Sequence, residues 1–140
     1  QVTLYQTNRH GSDIGGAPAF LGAIQPQVVI ANNGPKKGIG VGDKRVMPIV
    51  NLAQPAPGYE QNQYRRLASL PGIEGVWQGH LSLVNKEPGN NTANDMIANL
   101  DDTPECTGNW IKASVAPDGK FTVTNGRNSF SKTYEARERK

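Results

Sequence analysis

The chain has 140 residues, a formal net charge of +3 and a negative mean hydropathy. With 36% hydrophobic residues, 16 Gly and 10 Pro, it fits a single loop-rich domain with a modest core rather than a disordered chain. Aromatic residues at 6% are too few to interleave a basic stripe, which argues against a nucleic-acid groove, and no apolar run reaches membrane-spanning length.

In chain order, VTLYQT (2–7) is β-branched and aromatic and predicts a strand. NRHGSDIGG (8–16) predicts a loop. APAFLGAI (17–24) predicts a short helix, with Pro18 suited to its first turn and Phe20, Leu21 and Ile24 on its apolar face. QVVIAN (27–32) is a compact apolar run and predicts a buried strand. Strand, helix and strand within so short a span is the pattern of a parallel sheet. NGPKKGIGVGDK (33–44) is a glycine-rich loop. RVMPIVNLA (45–53) has helical character limited by Pro48. YEQNQYRRLASL (59–70) carries the clearest helical pattern, with Tyr64, Leu67 and Leu70 on one face, and Pro71-Gly72 ends it. IEGVWQGHLSLV (73–84) begins as a strand, and ANDMIANL (93–100) predicts a short helix. NWIKASVA (109–116), PDG (117–119) and KFTVTN (120–125) predict a β-hairpin with a type I′ turn at Asp118-Gly119. SFSKTYEA (129–136) alternates Phe130 and Tyr134 with polar residues and adds a third antiparallel strand. The expected organisation is α/β, with a βαβ-type part over 1–84 and a C-terminal β-meander over 105–136.

The chemistry-bearing residues are sparse. The glycine loop with Lys36 and Lys37 has the makings of an anion cradle, but it fits neither the Gly-Lys-Ser/Thr phosphate loop nor a dinucleotide fingerprint, because Asp43 stands at the last glycine position. A flexible loop with exposed lysines is the plainer reading. Only His10 and His80 offer imidazoles, and a catalytic zinc needs about three protein ligands. Ser12, His10 and Asp13 spell a triad, yet three near-adjacent loop residues do not reach triad geometry. On residue grounds His10 divides evenly between a surface loop residue and a site residue, and His80 reads as a packed or hydrogen-bonded histidine. The single cysteine, Cys106, reads as a small packed apolar residue. Asn90-Asn91-Thr92 matches Asn-x-Thr, a triplet common by chance.

The segment LYQTNRHGSDIGGAPAFLGAIQPQVVIANNG resembles the part of metallo-β-lactamase-fold hydrolases in which a strand ends in a His-His-Gly-Ser motif, followed by a short helix and a Pro-x-hydrophobic strand. The hydrolase domain of bacterial DNA-uptake channel proteins carries this pattern. NNGPKKG, VWQGH and NWIKASVAPDGKFTVTNGRNSFSKTY also look similar to the C-terminal part of a bacterial group of such hydrolases. The resemblance implies one half of an αββα sandwich. His10 would face the metal-bearing edge as a candidate ligand, with His80 a weaker one. Gly11 would permit a tight turn, and Ser12 and Asp13 would support the ligands or brace the loop. Arg9 replaces the family's first histidine of the pair. The His-x-His-x-Asp-His motif and the bridging aspartate belong upstream of this segment and are absent here.

Zinc is therefore expected in an intact parent and not tightly on this chain alone, whose partner would be the missing N-terminal half. The opening on Gln1-Val2, inside a strand pattern and without an initiator methionine, agrees with a piece of something longer. The rival expectation is a non-enzymatic binding or structural module that associates, with itself or a partner chain, through exposed strand edges.

Overall fold

A computed structural model describes residues 1–12, 15–39, 62–84 and 89–137. Asp13, the helical pattern over 45–53, the end of the glycine loop and the start of the 59–70 pattern lie outside these residues. Among these residues lie eleven short elements, seven of them strands in two sheets. Four parallel strands, β1 (Leu4–Gln6), β2 (Val28–Ala31), β3 (Gly75–His80) and β4 (Ile97–Asn99), lie side by side in chain order. Three antiparallel strands, β5 (Ile111–Val115), β6 (Phe121–Asn125) and β7 (Ser131–Tyr134), form the meander. The fold is mixed α/β.

Strand alternation divides the core in two. In β2, Val29 and Ala31 point to one face and join Leu21, Leu67 and Val76, with Tyr5, Ile24 and Tyr64 at the margin. That face is covered by helices α1 (Pro18–Ile24) and α2 (Gln63–Ala68). Val28 points the other way and joins Trp77, Phe121, Val123 and Tyr134, so the meander covers the second face. The result is a helix layer, a parallel sheet and an antiparallel sheet. Burial on both faces explains why β2 reads as an unbroken apolar run in the sequence. Each fully buried Val or Leu here contributes about 1.5–3 kcal/mol by leaving water.

Local chemistry sets the element ends. Pro18 opens α1, and Gln25 closes it in the left-handed region. Asn62 caps α2, its side chain accepting from the Arg65 amide at 3.0 Å. Phe20, expected on the apolar face of α1, is 45% exposed and meets Tyr5 edge-on instead. In the meander, Phe121 and Val123 face inward, while Thr122–Thr133 and Thr124–Ser131 pair their hydroxyls on the outer face at 2.8 and 2.9 Å.

Two sequence expectations are corrected. The helix expected over 93–100 is a 3-10 turn at Asn94–Met96 followed by β4. Ile97 and Ala98 are fully buried there, and the Ile97 carbonyl accepts from Asn125 Nδ2 at 2.8 Å and Arg127 Nε at 3.1 Å. Tertiary contacts outweigh the weak helical pattern of so short a stretch. The hairpin turn is not type I′. Gly119 N–H donates to the Ala116 carbonyl at 3.0 Å, which puts Pro117 and Asp118 in the middle of the turn. Proline cannot take the positive φ that type I′ requires, and only Gly119 does, at +84°. This is the longer hairpin connection in which a turn is closed by one left-handed residue.

Candidate functional site

Parallel sheets bind ligands beyond the carboxyl ends of their strands. Here that edge carries His10 after β1, Asn32 and Asn33 after β2, His80 at the end of β3, and Asn99 at the end of β4.

His10 sits in a short turn at Asn8–Gly11. Arg9 and His10 adopt positive φ, 45° and 59°, a region that costs a non-glycine residue about 1–2 kcal/mol. Surrounding bonds hold the strain. The Ser12 amide donates to the Arg9 carbonyl at 3.1 Å and the Ile39 amide to the His10 carbonyl at 2.9 Å. Gly38 presses on the same turn, and a Cβ there would lie 2.1 Å from the His10 carbonyl oxygen. Gly11 follows at φ +68°, a left-handed conformation that glycine takes at little cost.

The ring geometry is informative. His10 Nδ1 lies 2.9 Å from the Asn32 carbonyl oxygen. A carbonyl only accepts, so Nδ1 carries the proton and Nε2 keeps its lone pair in the neutral ring. His80 repeats the pattern, with Nδ1 2.8 Å from the Leu81 carbonyl oxygen. Neither Nε2 has a hydrogen-bond partner among the described residues. The His10 side chain is exposed and that of His80 is buried, as its packed reading expected.

An amide network fixes the edge around His80. Asn33 Nδ2 donates to the His80 carbonyl at 2.6 Å, and Asn33 Oδ1 accepts from the His80 amide at 3.3 Å. Gln78 Nε2 donates to Asn91 Oδ1 at 2.9 Å, and Gln78 Oε1 accepts from the Thr92 amide at 2.6 Å. Asn99 Nδ2 donates to the Gly79 carbonyl at 2.7 Å. The one local trace of this network is the Asn32-Asn33 pair directly after an apolar strand. The partners, far away in sequence, left none.

Of the remaining candidates, Ser12 braces the loop through its backbone, and its buried hydroxyl has no hydrogen-bond partner among the described residues. Lys36 Nζ pairs with Asp102 at 2.6 Å. The Lys36 hydrogen bond and charge hold the Asp102 carboxyl below its ordinary value, with His80 adding to the same direction. Lys37 closes the loop with Gly34 through a backbone bridge. Cys106, expected in the packing, is exposed beside a hollow of about 370 Å³ that Asn99, Glu105 and Arg127 also line. It follows a short turn (Cys106 N–H to the Thr103 carbonyl, 3.1 Å) rather than a strand or helix that would carry it inward. Asn90 of the Asn-x-Thr triplet is buried, so its amide is not presented for glycosylation.

Among the described residues no three His, Cys, Asp or Glu side chains gather closely enough to share an ion, and no helix is long and apolar enough to cross a membrane. Comparison with known protein families, curated proteins and solved structures finds no match.

Proposed function

We propose that this chain is the C-terminal portion of a metal-dependent hydrolase of the metallo-β-lactamase superfamily. The observation that carries the reading is the shared state of His10 and His80. Both lie at the carboxyl edge of one parallel sheet, with Nδ1–H on a backbone carbonyl and Nε2 left as a base. Histidines that bind metals are oriented this way by their second nitrogen. Backbone strain at Arg9 and His10 adds support, since such strain collects at functional sites. The layering of helices, parallel sheet and antiparallel sheet accords with three of the four layers of an αββα sandwich.

The donor set fits part of a zinc site. Each imidazole presents a ready Nε2, while a catalytic zinc takes three protein ligands. Further ligands come, on this reading, from a missing N-terminal half or a partner chain. Zinc in such a site makes water a nucleophile at neutral pH, able to attack an ester, amide or phosphoester. This chain's part is to hold the imidazoles. The Asn32 carbonyl accepts from His10 Nδ1 and so leaves Nε2 to ligate, and the Ile39 amide, donating to the His10 carbonyl at 2.9 Å, ties the turn down. In the intact parent, His10→Ala is expected to lower both turnover and zinc content sharply. Full turnover with full zinc would reduce His10 to a loop residue.

One observation favours the second reading, a module that associates through strand edges. β1 is the outermost strand of its sheet and pairs only with β2 among the described residues. Sedimentation over a range of concentrations separates the two. Self-association without metal dependence supports the module, and a monomer removes its self-association form.

A further inference from the structure

We infer that Asn33 is the positioning residue of this edge, and that the Asn32-Asn33 pair together sets the direction of both imidazoles. The catalytic meaning rests on the hydrolase reading, while the geometry stands apart from it. β2 lies between β1 and β3 in the sheet. Its first residue past the strand, Asn32, holds the His10 ring through its carbonyl at 2.9 Å. The next, Asn33, holds the His80 backbone with both ends of its side-chain amide, at 2.6 and 3.3 Å.

The Asn33 amide acts as one more peptide group. The backbone register of β2 with β3 ends at Ala31 opposite Gln78. Asn33 then supplies a donor and an acceptor to His80, two residues further along. Few side chains satisfy that demand. Aspartate lacks the donor, serine is too short to reach both atoms, and glutamine is one methylene too long. Asn33 is buried, so water does not readily replace it. The His80 carbonyl belongs to the peptide that leads into Leu81, and the Leu81 carbonyl anchors the His80 ring. That anchoring carbonyl lies on the next peptide, whose Ser82 N–H donates to Asn91 Oδ1 at 2.8 Å, so Asn33 acts on the ring through the backbone of Leu81 between the two peptides. Gln78 Nε2 reaches the same His80 carbonyl only at 3.2 Å, and the Leu81 amide is held by the Asn99 carbonyl at 2.8 Å. Asn33 makes the shortest contact to the carbonyl and is the sole side chain that binds both backbone atoms of His80 among the described residues.

The test is a nitrogen NMR measurement of the two ring tautomers in the full chain, above the ordinary histidine pKa of about 6.5. The wild-type chain is expected to show Nδ1–H for both rings. Asn33→Asp and Asn33→Ser are expected to lose the single Nδ1–H form at His80 while His10 keeps its own. A general collapse of the edge would move both rings, so His10 is the internal control. The inference is overturned if His80 keeps the Nδ1–H form in both variants, if both rings change together, or if wild-type His80 carries its proton on Nε2. If neither variant folds, the wild-type Asn33 side-chain amide decides. Its protons are expected to exchange at least about tenfold more slowly than those of an exposed asparagine, and equal exchange overturns the inference. Adding Ni²⁺ to the wild-type chain tests the hydrolase reading separately. Broadening at both rings supports it, and none counts against that reading while leaving the tautomer result in place.

Discussion

Tyr134 shows how one polar atom is built into the core. Its hydroxyl accepts from Trp77 Nε1 at 3.0 Å, and its ring stacks on Phe121 at 5.1 Å. Burial raises its pKa above the ordinary tyrosine value, and Glu74 adds to that, while the Trp77 bond opposes both. A folded-state pKa raised above the unfolded one means stability that is fully present below about pH 10 and lost as pH climbs through the raised value. Tyr134→Phe should therefore flatten the alkaline end of the stability profile. At neutral pH it should cost about 1–3 kcal/mol, because the buried Trp77 N–H loses its acceptor. An unchanged urea midpoint with unchanged alkaline loss would contradict this account. Lys36 gives the converse case. Its partner Asp102 is held below the ordinary carboxyl value, so the pair's contribution is present above that value and fades as pH falls through the lowered one. Lys36→Ala should return the Asp102 titration, followed by NMR, towards the ordinary range. A titration that stays put would mean that another group holds it down.

At the scale of elements, the hairpin gives the clearest test. Gly119 at φ +84° closes the β5–β6 turn, and a Cβ there would meet, among the described residues, only Ala136, at 3.8 Å. Space is not the issue, so Gly119→Val should cost about 1 kcal/mol or more through backbone strain alone. An unfolding midpoint equal to wild type would remove the left-handed residue from the account. The same hairpin shows what sequence could and could not reveal. Its strands and its reliance on Gly119 were legible from the Asp-Gly pair and the flanking alternation. Its turn type was legible only by weighing Pro117, whose fixed φ excludes the two-residue form. β1, α1, β2, α2 and β3 followed from apolar runs bounded by Gly and Pro. β4 did not, because a three-residue strand has no period of its own. It is made a strand by β3 on one side and by Asn125 and Arg127, which bond its Ile97 carbonyl. Of the site, His10 could be singled out by its Gly-Ser neighbours. The amide network could not, since Asn33 and His80 are 47 residues apart and nothing local links them.

On the scale of the whole molecule, the parallel sheet is covered on one face by helices and on the other by the meander, and it presents its carboxyl edge with two histidines in the same tautomeric state. We propose this edge as a metal edge with an incomplete ligand set. The most direct measurement is a zinc titration of the chain followed at the ring nitrogens of His10 and His80. The account predicts that Nε2 of both rings responds, that Nδ1 stays protonated, and that binding is weak enough for dialysis to leave well below one zinc per chain. Rings that ignore zinc throughout, or a zinc held tightly at one per chain, would contradict it.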